Sequence, residues 1–343
     1  MKGKKRPFLL IPIIFLFFSA VALVYYWNLK HSMFPYKDRK EILECYDYFS
    51  EVQDKEKRVE FLKNYLKKYS DNIEVHRLYQ TFMKQLGEES YILKEYKDYL
   101  ENDPDDPNFN YLYARLLSSS DAESYFKKSL INNVNFYWGH LGLAYYYFHH
   151  SDPRKTELAE EHLGRAIKID KTKPNAYFSL LTIYRAENNN EKMSEVLEPL
   201  TNFFPERDYL FLEYAELQFK DKKEFRKAVE KKLKRIPESA MLKKTLADLY
   251  IFEGRIDEAL KYLEAALEDE KFDNNLIKAL HIQIADIYGS KKDEKQTIYH
   301  LKEAAKYGLR NYEWIKENKN FEFLKENKEF KDLLKEGGID QNS

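Results

Sequence analysis

The sequence predicts an all-α chain, a stack of about eight helix pairs preceded by one apolar helix that spans a membrane. Three observations predict it. First, a set of intervals recurs: an aromatic residue or Met, nine residues on a small or aliphatic residue, four on another, three on a third. It runs Met83, Ile92, Tyr96, Tyr99; Tyr184, Met193, Leu197, Leu200; Tyr250, Ala259, Leu263, Ala266; and Tyr288, Thr297, Leu301, Ala304. Such self-similarity marks one supersecondary unit stacked many times. Second, only 10 Gly and 10 Pro among 343 residues rich in Glu, Lys, Leu and Tyr suit helices and supply few turns for a sheet protein. Third, residues 8–27 form an uncharged, strongly apolar run, the length a helix needs to cross a bilayer.

The N-terminal elements follow from that run. Residues 1–7 carry Lys2, Lys4, Lys5 and Arg6, and the run ends on Tyr25, Tyr26 and Trp27. Positive charge before an apolar helix favours a cytoplasmic N-terminus, and the rings provide an interfacial belt at the far end. A single-pass anchor with the repeats translocated is the expectation. Lys30, Lys37, Arg39 and Lys40 on the far side weigh against that orientation, although only Lys30 is adjacent. The alternative is a secreted protein, because Ala20-Val21-Ala22 has the small-x-small form of a signal-peptide cleavage site. The run continues past that site to Trp27, which a cleaved peptide does not require. Residues 28–37 then read as a juxtamembrane linker.

The repeats occupy residues 38–310, with pairs predicted to begin near Asp38, Ile73, Asp106, Asn135, Pro174, Glu206, Glu238 and Asn274. Residues three, four and seven apart share one face of a helix, so each helix carries an apolar stripe that a single pair cannot bury. Small residues such as Ala247 and Ala266 let neighbouring helices approach, and Tyr250 and Leu263 fill the gaps between repeats. Leu62, Tyr65 and Ser70 reappear as Tyr96, Tyr99 and Pro104, each displaced by 34 residues. Trp138, Leu141, Gly142 and Tyr145 follow the spacing W-x2-L-G-x2-Y, and Leu246, Ala247, Tyr250, Gly254, Ala259, Leu263 and Ala266 form a whole repeat with Gly254 at the turn. In period and pattern the chain resembles the tetratricopeptide repeat (TPR) family, which implies a right-handed α-solenoid. By the family's spacing from Tyr145 to Ala159, the turn at residues 149–156 carries about five extra residues. Residues 311–336 repeat Asn-x2-Phe-x2-Leu from Asn318 and again from Asn327. They read as a cap that covers the last repeat's apolar edge, with residues 337–343 a tail.

The resemblance also implies a site. In the family, positions one, two, five and eight after the Trp-type residue of each first helix line a concave groove. Counting this way places Arg77 and Lys84, Tyr111 and Arg115, His140 and Tyr146 (with Leu143), and Phe178 and Arg185 (with Ser179 and Thr182) in an aromatic and basic first half. Glu213, Glu216, Asp248 and Asp286 line an acidic second half. Such a face suits an extended peptide or amphipathic helix, with Arg taking carboxylates in a planar fork. The Lys/Asn/Arg clamp by which some family members hold chaperone tails is not present, since His140, Thr182 and Asp248 stand where its Asn residues would be.

Other function classes find little support. There is no phosphate-binding Gly loop, H-E-x-x-H, CxxC pair or G-x-S-x-G, so no catalytic residues, cofactor or metal are expected. His149 and His150 with Asp152 lack a spaced third ligand, and Cys45 is alone. A formal net charge of -1 argues against a nucleic-acid binder. The expected function is a membrane-anchored scaffold that binds a protein or peptide partner. The alternative is an accessory subunit of a membrane-associated enzyme, such as one of envelope polymer synthesis.

Overall fold

The computed structural model describes residues 44–337 except positions 46, 50, 119, 132, 152, 206, 269–273 and 311. The predicted anchor (8–27), the segments flanking it, the first pair's start near Asp38 and the tail from 338 onward lie outside the described residues. Among the described residues every assigned element is helical, and no helix is long and apolar enough to cross a membrane. The chain falls into two compact units divided between Leu210 and Phe211.

In the first unit α1 (Lys55–Lys68) is followed by the pairs α2 and α3 (Ile73–Gln85, Glu89–Asn102), α4 and α5 (Pro107–Ala114, Asp121–Lys128), α6 and α7 (Tyr137–His149, Thr156–Ile169), and α8 and α9 (Asn175–Ala186, Asn190–Phe203). The division falls inside α10 (Asp208–Gln218). The second unit continues with α11 (Lys222–Leu233), the pairs α12 and α13 (Ala240–Phe252, Ile256–Leu267) and α14 and α15 (Asn274–Ser290, Glu294–Lys306), and a closing segment of α16 (Tyr312–Glu317), the 3-10 turn η1 (Lys319–Leu324) and α17 (Lys328–Glu336). The first helices from Ile73 onward start within two residues of the predicted positions. Side-chain caps fix several of these starts: Asn72, Asp106 and Ser239 accept from the N–H three residues on.

Second helices pack on the first helix of the following pair, as α1 on α2, α3 on α4, α5 on α6 and α7 on α8 in the first unit and α11 on α12 and α13 on α14 in the second, and consecutive first helices also touch, as α2 with α4, α4 with α6 and α6 with α8. The turn inside a pair has a common form. The N–H of Glu88, Asn189, Arg255 and Asp293 bonds the carbonyl of Met83, Tyr184, Tyr250 and Tyr288, five residues back. The residue before each of these donors, namely Gly87, Asn188, Gly254 or Lys292, has positive φ, as an αL cap requires. Gly254, at φ 75, meets that requirement without a Cβ penalty.

The fourth pair keeps this scheme in a register two residues later than Trp138 predicts. Lys155 N–H bonds the carbonyl of Tyr147, eight residues back, so by this bond the enlarged turn holds three extra residues rather than five. His140 Nε2 lies 2.9 Å from the Val134 carbonyl six residues back, as His76 Nε2 does from Ser70 and Asn110 Nδ2 from Pro104. His140, Leu143, Ala144 and Tyr147 therefore take the places expected for Trp138, Leu141, Gly142 and Tyr145. Gly142 has a different use: a Cβ there would meet the Phe126 ring at 2.4 Å, so it permits the close contact of α6 with α5.

Polar bonds tie successive pairs together within this apolar stack. Tyr147 Oη donates to Glu123 at 3.0 Å and Tyr184 Oη to Glu160 at 3.1 Å in the first unit. In the second, Tyr250 donates to Glu230 at 3.1 Å and Tyr288 to Glu264 at 3.0 Å. Within two pairs, α6 with α7 and α14 with α15, paired imidazoles join the two helices. His140 Nδ1 lies 2.8 Å from His162 Nδ1, and His281 Nδ1 lies 2.9 Å from His300 Nδ1. A ring N–H must face a bare ring nitrogen in such a contact, which two imidazolium ions cannot supply. Burial, then the neighbouring histidine, pushes His162 and His300 down to about 4. At the C-terminal end Asn318 and Asn327 cap η1 and α17, and Phe321, Leu324, Phe330 and Leu333 are buried.

Two predictions follow from this packing. Ala247 and Ala266 are fully buried in the second unit's core, and replacing either with Leu should lower stability by about 1–3 kcal/mol in chemical denaturation; unchanged stability would contradict the close packing. The imidazole pairs set a pH dependence. The folded-state values of His162 and His300 lie below the unfolded value of 6.5, so their contribution is complete above pH 6.5 and is lost as pH falls towards about 4. Melting temperature should drop across that window. A His162→Gln, His300→Gln double variant should show a shallower drop, and an identical slope would contradict the assignment.

Candidate functional site

In the first unit the predicted residues on α2 and α4 form a connected cluster. Arg77 Nη1 donates to Glu74 at 2.8 Å, and its guanidinium lies 4.5 Å from the Trp138 ring centroid. Lys173 Nζ is 4.7 Å from the same ring. Tyr111, buried, packs against Trp138 with ring centroids 5.9 Å apart. Arg115, half-buried, donates from Nη1 to Gln80 Oε1 at 2.6 Å and lies 6.0 Å from the Tyr111 ring. Lys84 is exposed, with Nζ 3.4 Å from the Arg115 carbonyl oxygen. The geometry thus adds Glu74, Gln80, Trp138 and Lys173 to the predicted set. A polar residue four after the Trp-type position, as Gln80 is after His76, was the available signal.

The other predicted residues of this unit are placed differently. His140 is buried against His162, and Tyr146 is buried beside Tyr147 and His150. Both places follow from the shifted register, which instead puts Tyr145 in the same repeat position as Arg115. Tyr145 is 57% exposed, with its ring 4.5 Å from that of His149. Phe178 is half-buried, 5.4 Å from the Arg207 guanidinium and 5.9 Å from the Phe204 ring. Arg185 is exposed near the end of α8.

In the second unit Glu213 is half-buried and Glu216 exposed. Asp248 accepts from Lys244 at 2.9 Å and from Gln283 at 2.6 Å, and Asp286 accepts from Asn318 at 2.8 Å and Asn320 at 2.9 Å. These two carboxylates bridge neighbouring elements: Asp248 joins α12 to α14, and Asp286 joins α14 to the closing segment. Their charge is in part compensated internally.

The cations of the first unit's cluster are held at a cost from burial and from one another. Burial, and then Arg115, lowers the Lys84 ammonium below its ordinary value. Burial chiefly lowers Arg115, with Arg77 adding like-charge repulsion. Among the described residues no group of three or more His, Cys, Asp or Glu could hold a metal ion.

No family model matches the chain, and no curated protein matches it. Solved structures do. A chain of the APC/C hetero-tetramer aligns with a TM-score of 0.41 and 18% identity over 87% of this chain, which spans 55% of that one. A tetratricopeptide repeat protein from Parabacteroides merdae aligns at 0.33 and 16% over 88% of this chain and 98% of its own. The pilF protein of Pseudomonas aeruginosa aligns at 0.40 and 16% over 66% and 96%.

Proposed function

We propose that this chain is a non-catalytic scaffold, anchored in a membrane by residues 8–27 with its repeats on the translocated side, that binds a protein or peptide partner on the first-helix face of its first unit. One observation carries the binding reading. Consecutive first helices touch and present Lys84, Arg115, Tyr145 and Arg185 at groove-type positions that are exposed or half-buried. Rings that supply apolar area beside Arg groups are the usual anchors of a binding patch. The anchor reading rests on the apolar run and the four charges before it.

The anchor is tested by carbonate extraction of membranes that hold the full chain. The protein should stay in the pellet, and protease on the translocated side should cut the repeats. Release into the supernatant, or protection from that protease, would contradict anchorage or orientation respectively.

Binding is tested with a photo-crosslinking residue at position 145 of the full chain in native membranes. A discrete adduct is expected there and not at position 91, an exposed Tyr on the second helix α3. The captured protein should then bind a Tyr145→Ala, Arg185→Ala double variant with about thirtyfold lower affinity or worse, the loss of roughly 2 kcal/mol typical of a truncated anchor. Helix content should be unchanged, and Lys222→Ala in the second unit should bind like the parent. Parent-like affinity in the double variant would move the site elsewhere.

A further inference from the structure

The first unit's face has an imbalance of charge at one point. Arg115 is half-buried, and its polar side-chain contact is a neutral one, to Gln80 Oε1. Among the described residues Lys84, beside it, has its polar contact with the Arg115 carbonyl oxygen, at 3.4 Å. Among the described residues neither cation has a carboxylate within ion-pair distance. The acids that reach this place are Glu74, already bonded to Arg77 at 2.8 Å, and Glu89, which acts on Lys84 only through space. Arg77 adds a second guanidinium close enough to repel the first. A guanidinium withdrawn from water without an acid partner is costly, and the cost falls when an anion is supplied.

We propose that Arg115, with Lys84 and Arg77 around it, is the seat of a side-chain carboxylate from an acidic peptide segment, and that an aromatic or aliphatic residue of the same segment lies on Tyr145. This rests on the binding reading above and names the partner's chemistry. Arg115, at the C-cap of α4, and Tyr145, on α6, hold the same repeat position, five residues after Asn110 and His140, so they are neighbours across adjacent first helices. Packed helices lie about 8–10 Å apart and an extended chain advances about 3.3 Å per residue. The acid and the apolar residue of the ligand are therefore two or three residues apart. The fork of Arg115 fits a planar carboxylate, and the adjacent ring favours a peptide over a free inorganic anion.

The test is selection of a random twelve-residue peptide library, with blocked termini on resynthesis, against the full chain in detergent. Selected peptides should be enriched in Asp or Glu placed two or three residues from an aromatic or aliphatic residue. Changing that acid to its amide should weaken binding at least tenfold, and raising salt should weaken the acidic peptide more than its amide. Lys84→Gln should cost several-fold and Arg115→Gln tenfold or more; since Arg115 is partly buried, the exposed Lys84 carries the test if Arg115→Gln does not fold. Orthophosphate at millimolar concentration should not compete, and a phosphoserine replacement that binds ten times more tightly than Asp or Glu would overturn the carboxylate assignment. Peptides without acidic enrichment that still lose affinity in Tyr145→Ala would overturn the acid specificity and leave the binding face standing. Failure to select any peptide sensitive to Tyr145→Ala or Lys84→Gln would sink the binding face itself.

Discussion

The register of each stack depends on a tyrosine that ends the first helix of a pair and reaches back to a glutamate on the second helix of the pair before. Tyr147 with Glu123 and Tyr184 with Glu160 do this in the first unit, and Tyr250 with Glu230 and Tyr288 with Glu264 in the second. Apolar packing supplies most of the stabilisation but is non-directional, and small sliding motions of a helix cost it little. A hydrogen bond to a carboxylate contributes about 1.5–3 kcal/mol and tolerates little displacement. It therefore fixes which residues of the first helix turn inward and which remain on the exposed face. Burial raises the Tyr184 and Tyr288 hydroxyls above their ordinary range, with the bonded glutamates adding to the shift, so they stay protonated as donors at physiological pH.

The face follows from the register. With Tyr147 holding the inward place, Tyr145 is turned out and His140 is turned in against His162. At the end of α4 the same position carries Arg115, with Lys84 of α2 beside it; the Tyr111 ring lies by Arg115 and the Trp138 ring by Arg77. The second unit differs because its carboxylates are occupied: Asp248 and Asp286 receive amide donors from the next element. The same repeat position thus serves as a bridge in one unit and as open surface in the other. The amino acid on the facing helix decides which.

Much of the architecture was legible in the sequence, because the intervals that begin at Tyr184, Tyr250 and Tyr288 are the residues that make the turn and ladder bonds. The fourth pair was misread because Trp138, Leu141, Gly142 and Tyr145 match the repeat pattern while lying two residues out of register. The apolar pattern of α6 is nearly continuous, with Tyr137 to Ala144 all buried, so hydrophobic periodicity alone could not choose between the two registers. A further signal was present. Glu123 precedes Tyr147 by 24 residues, as Glu160 precedes Tyr184 and Glu264 precedes Tyr288. The bridging roles of Asp248 and Asp286 were not legible, since they depend on Gln283, Asn318 and Asn320 being opposite them in space. The cluster around Arg77 was only half legible: Arg77, Lys84 and Arg115 follow from repeat positions, but Lys173 beside the Trp138 ring and Glu74 bonded to Arg77 do not.

The most direct test of this account is a double-mutant cycle on the fourth pair's ladder bond. Stability of the full chain in detergent would be measured by denaturation for Tyr147→Phe, Glu123→Gln and their combination, with Tyr145→Phe as the comparison. The account predicts a coupling of about 1 kcal/mol or more between Tyr147 and Glu123, and little effect from Tyr145→Phe. Coupling of Glu123 to Tyr145, with none to Tyr147, would contradict it and restore the register set by Trp138.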